Sequence, residues 1–245
     1  KASQMKIGIL QAGHTPPELR PTRGDFDTMF ARLLDGHGFT FASYDVENMV
    51  FPGSPSDCDG WLITGSKHGA YEDHPFVAPL EQFIRDTYDA DVPMVGICFG
   101  HQIIAQALGG TVEKYAHGWA VGRQDYVIDG EPIALNAWHQ DQVTALPPGA
   151  EVIASTDACR YAGMRIGDFT MTLQPHPEFT PGFLRGLANV RRSVVGEATR
   201  TIQMIGHSVA SGQIDVQVHQ SVNPVEYSSL SVSAFMTAMR QNRRF

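Results

Sequence analysis

Basic residues are scarce in this chain. Its 245 residues hold 18 Lys and Arg against 26 Asp and Glu, for a formal net charge of −8. Proteins that bind nucleic acid gather cations into a patch or stripe that meets phosphates. Here only Arg191-Arg192 and Arg240 with Arg243-Arg244 are grouped, and they read as solvated helix ends. No nucleic-acid partner is expected. Long apolar runs are also missing: none approaches the ~20 residues needed to cross a bilayer, so no membrane partner is expected. Cysteine is rare. Cys58, Cys98 and Cys159 are odd in number, far apart and without a C-x-x-C pair, which argues against a disulfide framework and a cysteine zinc site. No signal-peptide pattern opens the chain, and a reducing cytoplasm is the expected location. The spot Glu72-Asp73-His74 lacks ligand spacing along the sequence and reads as a solvated loop. No metal and no cofactor are expected.

The length suits one well-buried α/β domain, or one domain with a lobe. Lys6–Leu10, Thr40–Val46 and Gly60–Thr64 are short strand-like runs. Asp25–Leu34 carries apolar residues at helical spacing, and Pro75 opens a helix through about Tyr88. Strands alternating with helices predict a doubly wound, mostly parallel sheet of flavodoxin-like type. From Thr111 to Leu173 strand-like runs dominate (Gln124–Ile128, Ile133–Asn136, Val152–Ala154, Thr170–Leu173), which predicts a small antiparallel insertion or a mixed sheet. A helix follows over about Pro181–Arg192. Residues 5–195 are expected to form the main domain. Residues 196–245 are expected to be a C-terminal extension packing on it, with a final helix carrying Leu230, Val232, Phe235, Met236 and Met239.

The most informative stretch is Val92-Pro93-Met94-Val95-Gly96-Ile97-Cys98-Phe99-Gly100-His101-Gln102. It reads as an apolar strand, a sharp turn carrying a cysteine, then a helix ended by Gly109-Gly110. Gly96-x-Cys98-x-Gly100 is the cysteine counterpart of the G-x-S-x-G nucleophile elbow. Glycines two residues either side remove Cβ atoms that would crowd the turn. The N-terminus of the following helix favours a thiolate, the attacking species. The other reading of Cys98 is a buried structural cysteine in a core strand.

A partner base decides between these readings, and Gln174-Pro175-His176-Pro177-Glu178-Phe179 offers one. Prolines on both sides restrain the backbone at His176. Glu178 can fold back onto the imidazole and fix its tautomer, while His176 takes the thiol proton and returns it to a leaving amine. Taken alone, His-Pro-Glu reads equally as a surface turn. Acyl transfer also needs donors for an oxyanion. The candidates are the backbone N–H of Phe99 and an N–H of the Gly65-Ser66 loop, most plausibly that of Ser66. This loop lacks the Gly-Lys-Ser/Thr ending of a phosphate-binding loop.

Gly-Ile-Cys-Phe-Gly-His-Gln, a later Pro-His-Pro-Glu and an earlier strand ending in Thr-Gly-Ser together resemble class I (triad type) glutamine amidotransferase domains. The resemblance covers roughly Met5 to Arg192. It implies that Cys98 is the nucleophile, His176 the base and Glu178 its orienter. It also implies that Gln102 contacts the substrate. Trp138-His139-Gln140-Asp141-Gln142-Val143 looks like the family's segment that holds the substrate's amino-acid end, largely through backbone, which would make His139, Gln140 and Asp141 substrate-binding residues along with Gly65. The oxyanion loop departs from the family: Gly65-Ser66-Lys67 stands where many members have Gly-Gly-Pro.

The resemblance implies cleavage of a γ-glutamyl amide through a thioester on Cys98. The Gly-Ile-Cys-Phe-Gly-His-Gln and His-Gln-Asp forms look particularly like stand-alone members, including γ-glutamyl peptidases. The first expectation is a stand-alone hydrolase acting on glutamine or a γ-glutamyl compound. An alternative is a glutaminase subunit that passes ammonia to a separate synthetase partner. A second alternative is a non-catalytic regulatory or binding module, and a third is a cysteine hydrolase with an unrelated acyl substrate. The partners foreseen are a small γ-glutamyl substrate, a synthetase and further copies of the chain as a homo-oligomer.

Overall fold

The computed structural model describes residues 4–195. The expected extension over 196–245, with its final helix, lies outside them. Eleven strands and six helices follow one another among the described residues. They are β1 (Met5–Leu10), α1 (Arg20–Arg23), α2 (Phe26–Leu33), β2 (Phe39–Tyr44), β3 (Gly60–Ile63), α3 (Val77–Asp89), β4 (Met94–Ile97), α4 (Phe99–Ala107), β5 (Thr111–Lys114), β6 (Ala120–Ile128), β7 (Glu131–His139), β8 (Asp141–Ala145), β9 (Ala150–Ser155), β10 (Gly163–Ile166), β11 (Thr170–Leu173), α5 (Pro181–Val190) and α6 (Arg192–Val195).

Nine strands form one sheet in the order β2-β1-β3-β4-β11-β10-β9-β6-β7. The first five run parallel to their neighbours, and their order is that of a flavodoxin-like doubly wound sheet. The last four are antiparallel. The antiparallel strands therefore extend the main sheet, and β5 pairs with β8 in a separate ribbon.

Alternating side chains send the parallel strands' apolar groups to both faces. Trp61, Ile63 and Met94 pack with Leu80, Phe83 and Ile84 of α3 and with Ile103 and Ile104 of α4. Ile7, Ile9, Leu62, Val95 and Ile97 pack on the other side with Phe30 of α2 and with Leu34. Burying one such side chain contributes about 1.5–3 kcal/mol. Helix α2 begins where expected because the Asp25 carboxylate accepts the Phe26 N–H as N-cap. Helix α5 is capped likewise by Thr180, with Pro181 at its first position.

β7 is an edge by hydrogen-bond order, well removed from β4. Even so, Asn136 of β7 makes an antiparallel bridge with His176 in the loop after β11. The sheet bends back on itself, and Tyr126, Leu135, Ala154 and Leu173 fill the concavity. This curl sets the far edge over the carboxyl ends of β4 and β11.

Candidate active site

β4 delivers Cys98 at its carboxyl end, directly before α4. Cys98 has φ 54° and ψ −104°, a positive φ that a side-chain-bearing residue adopts only under constraint. The glycines on either side permit it. A Cβ on Gly96 would lie 2.4 Å from the Gly100 carbonyl oxygen, and one on Gly100 would lie 2.3 Å from the carbonyl oxygen of Ile63. Helix α4 thus touches strands β4 and β3 backbone to backbone, which forces the tight turn at the buried Cys98. Phe99 opens α4, so its N–H belongs to the first turn, whose amides have no partner within the helix.

β11 lies beside β4 in parallel register, Leu173 opposite Ile97, and the Cys98 N–H donates to the Leu173 carbonyl at 2.8 Å. The chain leaving β11 is therefore carried past Cys98. It brings His176 to the same Gly65 backbone that borders Cys98. The Nδ1 of His176 lies 2.7 Å from Glu178 Oε1, with both side chains buried. The Phe179 ring stacks flat on the imidazole, centroids 3.9 Å apart and planes within 7°. The His176 N–H donates to the Asn136 carbonyl at 2.8 Å, and the Asn136 amide donates to the Phe179 carbonyl at 2.9 Å. His176 is fixed on its edge, its face and its backbone.

Burial alone would strip the proton from His176. The negative charges of Cys98 and Glu178, with the hydrogen bond to Glu178, outweigh it and push the imidazole up to about 10. Two nearby imidazoles lack such neighbours. Burial, then the charge of His139, pushes His101 down to about 3. Burial pushes His139 down to about 4 against its bond to the Asp141 backbone, with the charge of His176 acting the same way as burial. Among these three buried rings, only the one beside the sulfur is held as imidazolium.

The remaining residues singled out in the sequence fall around this centre. A Cβ on Gly65 would lie 3.1 Å from His176 Cε1 and 3.8 Å from Cys98 Cβ, so this loop closes directly over the pair. Half-buried Ser66 accepts the His68 N–H on its Oγ at 3.2 Å. The Gln102 amide nitrogen is held by the Asp141 carbonyl at 3.0 Å and by Gln174 Oε1 at 3.1 Å. It ties α4 to the start of β8 and does not stand free. His139 is buried, its Nδ1 3.2 Å from the Asp141 carbonyl. The Gln140 carbonyl accepts the Tyr115 N–H. The Asp141 carboxylate accepts the Tyr71 hydroxyl at 3.1 Å, and burial raises its carboxyl above the ordinary range. The segment Trp138–Val143 runs from the end of β7 through Gln140 into β8, and its Trp138 carbonyl faces the Cys98 sulfur at 3.8 Å.

Asn136, Phe179 and Gln174 have no role that the sequence alone assigns. Phe179 and Gln174 flank His176 in the very motif that revealed it. Asn136 carried no signal, because its contact depends on the curl of the sheet. Cys58 and Cys159 stand apart: burial pushes both thiols up, Cys159 to about 12. The cysteines are all free. No helix among the described residues is long and apolar enough to cross a membrane.

Similar proteins agree with this architecture. A glutamine amidotransferase-like protein of Schizosaccharomyces pombe is 28% identical, over 93% of this chain and 96% of its own length. Gamma-glutamyl peptidase 4 of Arabidopsis thaliana is 29% identical, over 75% of this chain and 79% of its own. The crystal structure of a glutamine amido transferase from Methylobacillus flagellatus superposes with a TM-score of 0.73, covering 98% of this chain and 95% of that one at 19% identity, and so shares the fold. With residues 41–188 matching the family described as glutamine amidotransferase class-I, this chain belongs to that family.

Proposed function

We propose that the protein is a stand-alone hydrolase of γ-glutamyl amides, acting through Cys98, His176 and Glu178, with residues 5–195 as the catalytic unit. The observation that carries this reading is the convergence of Cys98, at a positive-φ elbow, and a buried imidazole held by Glu178 on the same Gly65 backbone. The similarity to a gamma-glutamyl peptidase over most of both chains supports the substrate class.

The Cys98 thiolate attacks the γ-carbonyl carbon. A C–S bond forms, and the carbonyl electrons move onto oxygen. The N–H of Phe99 and an N–H of the Gly65-Ser66 loop stabilise this oxyanion. When it collapses, the C–N bond breaks and the His176 imidazolium gives its proton to the departing amine. Water then attacks the γ-glutamyl thioester and passes a proton to His176. The C–S bond breaks, and glutamate leaves with the thiolate–imidazolium pair restored. Glu178 holds the ring and its charge throughout. The walls that take the amino-acid end of the substrate come from Gly65, Gln102 and the His139-Gln140-Asp141 connection. A reducing cytoplasm preserves the free thiol that this chemistry needs.

Release of glutamate from glutamine, glutathione and γ-glutamyl amines tests the reading. Turnover by the purified chain is expected, and Cys98→Ala should lower it by about 10⁴-fold or more. Equal rates for the two proteins would remove Cys98 from the mechanism. Glutaminase activity that emerges only with cell extract would replace the stand-alone reading by a subunit serving a synthetase.

A further inference from the structure

A second cluster of chemically able side chains lies beyond Ser66, outside the catalytic group. His68, Glu72 and His74 each present a ligand atom, and these atoms all lie within 4.8 Å of one another. His74 Nε2 is 2.8 Å from Glu72 Oε2, and His68 Nδ1 is 3.8 Å from that same oxygen. Ligands about 2.0–2.1 Å from a tetrahedral zinc ion stand roughly 3.4 Å apart. The two observed separations bracket that value, so small side-chain rotations complete the geometry.

The surroundings are those of a ligand set. His68 turns its other nitrogen, Nε2, onto Glu47 Oε1 at 3.0 Å. A carboxylate on the far nitrogen is what fixes the tautomer and aim of a metal-bound imidazole. It leaves His68 Nδ1 directed towards Glu72. Lys67 Nζ lies 3.0 Å from the same Glu47 oxygen, so its charge is answered by Glu47. Phe76 backs both rings, with centroids 5.8 Å from His68 and 6.1 Å from His74. The rings themselves are only 3.9 Å apart. The open side faces solvent: the Glu72 side chain is 46% exposed and that of His74 33%, which gives an ion a way in.

We propose that His68 Nδ1, His74 Nε2 and the Glu72 carboxylate bind a divalent transition-metal ion, zinc fitting best, with water in the fourth position. Two imidazoles and one carboxylate suit zinc, whereas magnesium and calcium prefer all-oxygen shells. The ion ties Glu72 and His74 to His68, whose N–H holds the Ser66 hydroxyl. Its occupancy thereby stiffens the loop that passes over Cys98. This site stands independently of the hydrolase reading.

The test is calorimetric titration of the full-length, EDTA-treated protein with zinc chloride, in a Cys98→Ala background so that the thiolate cannot compete. One equivalent should bind. Adding His74→Ala or Glu72→Gln should weaken binding at least tenfold, while Asp73→Ala, an exposed carboxylate beside them, should leave it unchanged. Cobalt(II) should give the visible absorption of a tetrahedral complex, lost with His74→Ala. Absence of saturable binding would overturn the proposal, as would an unchanged affinity in His68→Ala/His74→Ala. Should that double variant fail to fold by circular dichroism, the surface substitution Glu72→Gln decides alone: zinc affinity left intact by it would overturn the site.

Discussion

The two halves of the nine-stranded sheet do different work. In the parallel half, β3, β4 and β11 are buried along their whole length, and their carboxyl ends carry the Gly65-Ser66 loop, Cys98 and the His176 loop. In the antiparallel half, strands show one face to water: Val127 of β6 is 50% exposed and Val152 of β9 45%. The parallel half supplies Cys98, His176 and Glu178. The antiparallel half braces them, because Asn136 bonds to the His176 N–H and the Phe179 carbonyl and the Trp138 carbonyl faces the sulfur. A doubly wound sheet alone brings the cysteine and the histidine to one edge. The bracing of the histidine comes from the added antiparallel strands.

The division can be broken most severely at Glu178, within the parallel half's loop. Glu178→Gln should lower turnover by roughly 10²–10⁴-fold. NMR titration of the His176 ring gives the electrostatic counterpart. In the unaltered protein the imidazole should stay protonated through neutrality, with its midpoint near 10. Both Glu178→Gln and Cys98→Ala remove a negative neighbour, so both should lower the midpoint. The same shift fixes how stability depends on pH. The folded value lies above that of an unfolded imidazole, near 6.5, so the pairing stabilises the fold fully below that pH and is lost as pH rises through about 10. A midpoint unmoved by either substitution would show that neither charge governs the ring.

Gly96→Ala attacks the elbow's packing. The new Cβ would meet the Gly100 backbone at 2.4 Å, and a loss of at least about 1–3 kcal/mol is expected in urea unfolding. Asn136→Ala probes the bracing half. It strips a buried carbonyl of its donor at a cost of about 1–3 kcal/mol. It should also cut turnover while alkylation of Cys98 by iodoacetamide continues, which separates bracing from reactivity. The smallest effect belongs to the solvent face of β6: Val127→Thr should change stability by within about 0.5 kcal/mol and leave turnover alone.

The parallel half was largely legible from the chain. The short apolar runs at Lys6–Leu10, Gly60–Thr64 and Met94–Ile97 are buried strands, and the Asp25 cap and Pro181 mark real helix starts. The elbow glycines and the proline-flanked histidine are local signals, and the structure brings Cys98, His176 and Glu178 together. Strands β5, β8 and β10 were not visible. Asp141-Gln142-Val143-Thr144-Ala145 and Gly163-Met164-Arg165-Ile166 are short and mixed in polarity, and only pairing with distant partners makes them strands. Helix α3 starts at Val77, two residues later than Pro75, because Phe76 serves as its N-cap. The resemblance implies a substrate contact at Gln102, and nothing along the chain signals that its amide nitrogen is also held by Asp141 and Gln174. His68 stands four residues before Glu72, outside the Glu72-Asp73-His74 spot the sequence singles out, and the loop turn brings it in.

The bridge between Asn136 and His176 has a consequence for the life of the protein before it is fully folded. A chain that has assembled only β1 to β4 already owns its cysteine turn, but has neither the imidazole nor the strand that steadies it. Only when β7 comes round to His176 do Asn136 and the Trp138 carbonyl stand beside that turn, so the site is a product of the whole sheet and not of its parallel half alone.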